Sequence, residues 1–213
     1  MVLTILRAPG LVTVQDLGRV GFAHLGVPRA GALDAPAAAL ANRLVGNVPA
    51  AAVLETTLLG VAFSTDRALS IAVTGAACTV TVDGRHRAHG EPVTAAAGAI
   101  IEIGPATSGV RSYVAVAGGV EVGAVLGSRS TDTLAGIGPP RLAPDMTVPV
   151  GRPRRPHPVD TIATPRPNGA MRLFPGPRLD WFTAGAWQTL THASYAVTGD
   201  ANRVGVRLRG PVL

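Results

Sequence analysis

The chain has 213 residues, of which 47% are hydrophobic, 15% charged and only 4% aromatic, enough for one large domain or two small ones with buried cores. Glycine (26) and proline (18) are too frequent for a helical bundle or coiled coil, and turn-rich β structure fits better. All 19 basic residues are arginine, which removes Schiff-base chemistry, a P-loop lysine and a biotin-accepting lysine from this chain.

In chain order, the first predicted strand is Val2–Leu6. No basic leader precedes an apolar core at the N-terminus, so no signal peptide is expected. A glycine-rich loop follows, running from Gln15 through Gly18, Gly21, Gly26 and Pro28 to Gly31. One helix is then predicted over Asp34–Val45. Asp34 caps it, Pro36 sits in the first turn where a missing N–H is harmless, and Gly46-Asn47 ends it. Leu33, Ala37, Leu40, Ala41 and Leu44 recur at helical spacing and form its expected core face, with Asn42 on the polar side. Further strands are predicted at Val53–Thr57, Ser70–Val73, Thr79–Val82, Ile100–Ile103 and Ser112–Val116, with Asp83-Gly84 suited to a type I′ hairpin turn. Short, closely spaced strands and a single helix read as a mainly β protein, a closed or nearly closed barrel.

Residues 139–168 are different, because nine prolines make a long regular element unfavourable there. This zone reads as a linker or crossover between an N-terminal barrel lobe, 1–138, and the start of a second β lobe, 169–213. The second lobe carries predicted strands at Met171–Phe174 and Val204–Leu208. So short a piece would struggle to bury its own core, so it reads as incomplete.

Net charge is +6, yet the arginines are dispersed apart from Arg152, Arg154 and Arg155, and no aromatics interleave them, so a nucleic-acid partner is not expected. No apolar run has the length of a membrane helix, and we expect a soluble cytoplasmic protein. The single Cys78 and the scattered His86, His89, His157 and His192 lack metal-ligand spacing, so no metal site is expected.

The densest chemistry lies in the glycine loop. Gln15, Asp16, Arg19 and His24 offer an amide, a carboxylate, a fixed cation and an imidazole in one segment. Arginine can hold a carboxylate or phosphate through two parallel hydrogen bonds, and Asp or His can move protons. The alternative is an Asp16–Arg19 ion pair bracing the turn. Ser128, Ser130 and Thr131 follow Gly127 and either cradle an anion or form a hydroxyl-rich turn. Glu55 reads as the polar member of a half-exposed strand or as a site residue.

Several long motifs carry a resemblance. They are Val14–Gly21, His24–Pro28, Gly31–Asp34, Ala41–Asn47, Leu54–Thr57, Thr74–Ala76, Tyr113–Val120, Val125–Thr131, Phe174–Pro177, Trp181–Thr183 and Asn202–Leu208. Together they resemble the allophanate hydrolase subunit 2 family, also called the biotin-dependent carboxyltransferase family, which includes KipA-type proteins and the C-subunit of 5-oxoprolinase. The resemblance implies a cyclophilin-like β barrel and a subunit of an ATP-dependent amide-hydrolysing complex, 5-oxoprolinase in the first instance. There, phosphorylation of an unreactive amide oxygen makes the carbonyl carbon attackable. It also admits carboxyl transfer to urea, with biotin arriving on another protein, or a non-catalytic regulator that binds a KipI-like kinase inhibitor. It implies a KipI-like partner subunit, a LamB/YcsF-type subunit, and ATP bound by the complex or by this chain.

In this framework Asp16, Arg19 and His24 are the expected catalytic residues. Gln15, Gly26, Pro28, Asp34, Asn42, Glu55, Ser128, Ser130, Thr131 and Arg203 are the expected substrate- or anion-binding residues. Ala77 stands where relatives carry an acid, and Asn202 where they carry Asp. Relatives also continue beyond Leu213, so the chain reads as truncated or naturally short. Trp181, Phe182 and Trp187, the main large aromatic anchors, mark an expected contact surface.

Overall fold

The computed structural model describes residues 1–153 and 169–213, and the chain divides into two compact units, residues 1–164 and 165–213. Arg154, Arg155 and the later prolines of the proline-rich zone lie outside the described residues.

The first unit is mainly β. Its strands are β1 (Val2–Arg7), β2 (Leu11–Gln15), β3 (Val53–Thr57), β4 (Val61–Thr65), β5 (Leu69–Val82), β6 (Arg85–Arg87), β7 (Pro92–Ala95), β8 (Ile100–Val116) and β9 (Thr147–Pro149). They form one curled antiparallel sheet in the order β2-β3-β8-β4-β1-β9, and β5 pairs with β8, β6 and β7 off this path. The two longest strands, β5 and β8, each merge two predicted strands. Their pairing shifts register at Gly75/Ala77, Ala77/Cys78 and Cys78/Val80, so the ladder bends where the sequence suggested breaks. The predicted hairpin is present as β5–β6, with positive φ at both Asp83 and Gly84 as a type I′ turn requires.

Strand alternation splits the core into two faces. Leu54, Val114 and Val116 point into the main cluster with Leu3, Ile5, Phe63, Ile71 and Ile101. Val53, Tyr113 and Ala115 point the other way, against helix α1 (Ala35–Leu44). Asp34 caps α1 by accepting from the Ala37 N–H at 3.0 Å. Leu40, Ala41 and Leu44 are buried as expected, but Leu33 is 56% exposed because it precedes the cap and leaves the helical stripe. Asn42 is fully buried, contrary to its expected polar-side position. Its amide donates to the carbonyls of Ala51 and Pro49, and its oxygen accepts from Asn47, which fixes the turn after α1.

Residues 139–153 lie on the first unit. Leu142 and Val148 are in its core, and β9 pairs with β1, Leu3 opposite Val148.

The second unit holds α2 (Ala186–His192) and a hairpin of β10 (Ala196–Ala201) and β11 (Val206–Arg209). The chain therefore has a second helix that the sequence did not suggest. Met171–Phe174 is not a strand. Ala186 is the one buried residue among the described residues of this unit. No helix among the described residues is long and apolar enough to cross a membrane.

Candidate functional site

The glycine loop leaves β2 at Gln15 and returns to α1, and its two legs lie directly against each other. The Arg19 N–H donates to the Arg29 carbonyl at 2.7 Å and the Ala32 N–H to the Asp16 carbonyl at 2.8 Å. Gly31 makes this approach possible: it has φ +87°, and a Cβ there would lie 2.8–2.9 Å from the backbone of Leu17 and Gly18. Gly31→Ala is expected to cost about 2 kcal/mol and to loosen the loop, read by a thermal melt and by faster exchange of the Arg19 and Ala32 amides.

Asp16 is the centre of the loop. Its Oδ1 accepts from Ser128 Oγ and Ser130 Oγ, both at 2.6 Å, and from the Gly18 N–H at 2.8 Å; its Oδ2 accepts from the Arg129 N–H at 2.6 Å. Its own N–H donates to Ser130 Oγ at 2.9 Å. Burial alone pushes this carboxyl up, but the hydrogen bonds from Ser128, Ser130, Arg129 and Gly18 outweigh it and hold the pKa below the ordinary carboxylate value. The hydroxyl- and amide-rich Ser128–Ser130 segment thus cradles an anion, and that anion is the chain's own Asp16.

Arg19 does not pair with Asp16. It is 2% exposed and donates through Nε to the Val125 carbonyl at 3.2 Å and through Nη2 to the Ser130 carbonyl, so both loop residues clamp segment 125–130. Gln15 holds the next residue, its amide donating to the Thr131 carbonyl and to Thr13 Oγ1, both at 3.0 Å. Four buried polar atoms here lack a protein partner: Gln15 Oε1, Arg19 Nη1, Thr131 Oγ1 and Asp132 Oδ2. Such atoms are nearly always satisfied in folded proteins, so each of these four stands out.

The other expected site residues are placed differently. His24 is exposed on a 3-10 turn over Ala23–Leu25, its Nδ1 3.0 Å from the Gly21 carbonyl, and Gly26 closes that turn at φ +73°. Pro28 is half-buried on the returning leg. Asp34 and Asn42 serve the two ends of α1, as its cap and as the brace of the turn that follows. Arg203 lies in the second unit, between β10 and β11.

Glu55 is not half-exposed; it is 1% exposed, on the α1 face of β3. It pairs with Arg111 at 3.1 Å, accepts from the Leu33 N–H at 3.1 Å, and lies opposite Tyr113 in register. Tyr113 Oη in turn accepts from the Asp34 N–H at 2.7 Å. Burial first, and then the Glu55 charge, push the Tyr113 hydroxyl well above its ordinary pKa, so it stays protonated and serves as a fixed bridge to Glu55.

Two residues that the sequence did not single out as site residues, Arg129 and Arg152, complete the region. Beside the loop is a cleft of about 600 Å³ lined by Asn47, Val48, Ala50–Ala52, Gly118–Glu121, Arg129 and Arg152. Arg129 links the two features, since its backbone N–H holds Asp16 and the residue also lines the cleft. Its position beside Ser128 and Ser130 was a local signal; its convergence with Arg152 and Gly118 was not.

A carboxyltransferase domain, subdomain A and B, family model matches residues 25–213. The chain is 37% identical to the C-subunit of 5-oxoprolinase from Escherichia coli, over 99% of this chain and 69% of that one. It is 40% identical to urea amidolyase of Saccharomyces cerevisiae, over 62% of this chain but only 7% of that protein. The crystal structure of TTHA0988 superposes with a TM-score of 0.88 at 35% identity, covering all of this chain and 80% of that one.

Proposed function

The chain belongs to the carboxyltransferase-domain family, subdomains A and B, and from that premise we propose that it is a subunit of an ATP-dependent amide-hydrolysing complex of the 5-oxoprolinase type. The observation that carries this reading is the 37% identity to the 5-oxoprolinase C-subunit across 99% of the chain. The match to urea amidolyase, at 40% identity over 62% of the chain, also supports a role in amide or urea chemistry. Asp16, already committed to four donors, is a positioning residue that holds Arg129 and the two serines in place.

ATP is assigned to the complex. In the first unit the glycine loop reaches α1 through a 3-10 turn, and Asp34 already occupies the helix N-terminus with its own carboxylate, which does not fit a triphosphate cradle. The exposed Trp181 and Phe182 support a partner contact from the second unit.

The test is coexpression with a KipI-like and a LamB/YcsF-type subunit. The isolated chain is expected to show no ATPase or amidase activity, and the complex to hydrolyse ATP only with 5-oxoproline present. Robust turnover by the single chain, or failure to co-purify in low salt, overturns the reading. The match to urea amidolyase favours carboxyl transfer to urea as the second reading. Urea-dependent consumption of carboxybiotin by the chain would select it. Binding of a KipI-like inhibitor without turnover would select a regulator instead.

A further inference from the structure

We propose that the cleft beside the glycine loop binds the carboxylate of a small acid that also carries an N–H group, with Arg129 and Arg152 as the carboxylate clamp and Glu121 as the N–H acceptor. Arg129 Nε is buried and has no protein partner. A desolvated guanidinium N–H is costly to leave unpaired, and a carboxylate that bonds two adjacent guanidinium nitrogens is its natural complement. Arg152 adds a second positive charge to the same cleft, and Glu121 subtracts one. Among the described residues the ion pairs are Arg7–Glu102, Arg111–Glu55 and Arg178–Asp180, and none of them joins Glu121 to Arg129 or Arg152.

The net balance of one positive charge fits a monoanion. A triphosphate would place several negative charges against Glu121. Gly118 and Gly151 let two segments of the cleft wall pack backbone against backbone. Gly118 has φ +98°, and a Cβ on it would strike the Gly151 carbonyl, while a Cβ on Gly151 would come within 2.9 Å of Glu121 Oε1. Neither position accepts a side chain, and Ala50–Ala52 keep the opposite wall shallow. Arg129 is held from behind, because its N–H donates to Asp16 Oδ2 at 2.6 Å.

The choice of 5-oxoproline as first probe rests on the function proposed above, whereas the site itself does not; L-glutamate, which carries both groups, serves as the second probe. Calorimetric titration of the full chain with each is expected to give saturable binding, with none for 2-pyrrolidinone, which has the lactam but no carboxylate. Arg129→Gln and Arg152→Gln are each expected to weaken binding roughly ten- to a hundred-fold. Asp16 is held by the backbone of residue 129, so these variants keep the wild-type melting transition. Absence of saturable binding by both acids, equal binding of 2-pyrrolidinone, or unchanged affinity in both variants would overturn the proposal. Displacement of the acids by inorganic phosphate would also overturn it and make the cleft a phosphate site. Turnover by the assembled complex is measured separately, so failure of the subunit reading leaves this outcome distinct.

Discussion

Glu55→Ala is expected to destabilise the first unit by about 3–5 kcal/mol. Glu55 is 1% exposed and is bonded to three groups at once: the Arg111 guanidinium, the Leu33 N–H and the Tyr113 hydroxyl. Its removal leaves a guanidinium whose side chain is 9% exposed without its counter-charge. It also releases the segment leading into α1, since Leu33 and Asp34 are both held from this cluster. Glu55→Gln keeps an acceptor for Leu33 and should cost less. A Glu55→Leu/Arg111→Met double variant should recover most of the loss, because replacing a buried ion pair whole is far cheaper than breaking it. Denaturant titration decides the matter. A loss below about 1 kcal/mol for Glu55→Ala would show that the cluster is not a keystone of the α1 face.

Asp16→Asn is expected to cost about 2–4 kcal/mol at neutral pH. Every contact of the carboxylate is from a donor, so an amide nitrogen at either oxygen position sets N–H against N–H or O–H. The pH dependence identifies the cause. The folded pKa of Asp16 lies below its ordinary value of 3.8, so its contribution is complete above about pH 5 and is lost as pH falls through 3.8 toward the folded pKa. Wild type should therefore converge on Asp16→Asn in melting temperature between pH 5 and pH 2. A gap that stays constant across that range would locate the effect in packing rather than in charge. Asp16→Asn is also expected to weaken 5-oxoproline binding, since the Arg129 backbone loses its anchor.

Much of this fold was legible in the sequence because its signals are local. Asp34, Pro36 and Gly46 bracket α1 within a dozen residues, and Asp83-Gly84 announces its own turn. The length of β5 and β8 was not legible: Ser70–Val73 and Thr79–Val82, and likewise Ile100–Ile103 and Ser112–Val116, read as separate strands, while in the structure the ladder bends and continues between them. Met171–Phe174 has strand-forming residues but no pairing partner among the described residues. The glycine loop drew attention correctly to Gln15, Asp16 and Arg19. Their partners are more than a hundred residues away, so the sequence could offer an Asp16–Arg19 pair but not the shared grip on segment 125–130. Glu55 shows the same limit. A glutamate in an apolar strand is ordinarily solvent-facing, and only the register with Tyr113 and Arg111 explains its burial.

The pairing of β9 with β1 has a consequence for biosynthesis. β1 sits between β4 and β9, with Val2 opposite Pro149 and the Val150 N–H bonded to the Met1 carbonyl. Until residue 150 has left the ribosome, the outer edge of the N-terminal strand has no partner and presents free N–H and C=O groups. Pairings of this sequence separation also carry a large loop-closure cost, so they form late. The nascent chain therefore carries an open, hydrophobic edge until residue 150 has emerged, the kind of edge on which other chains add as strands. The short strand β9 is the piece that closes it.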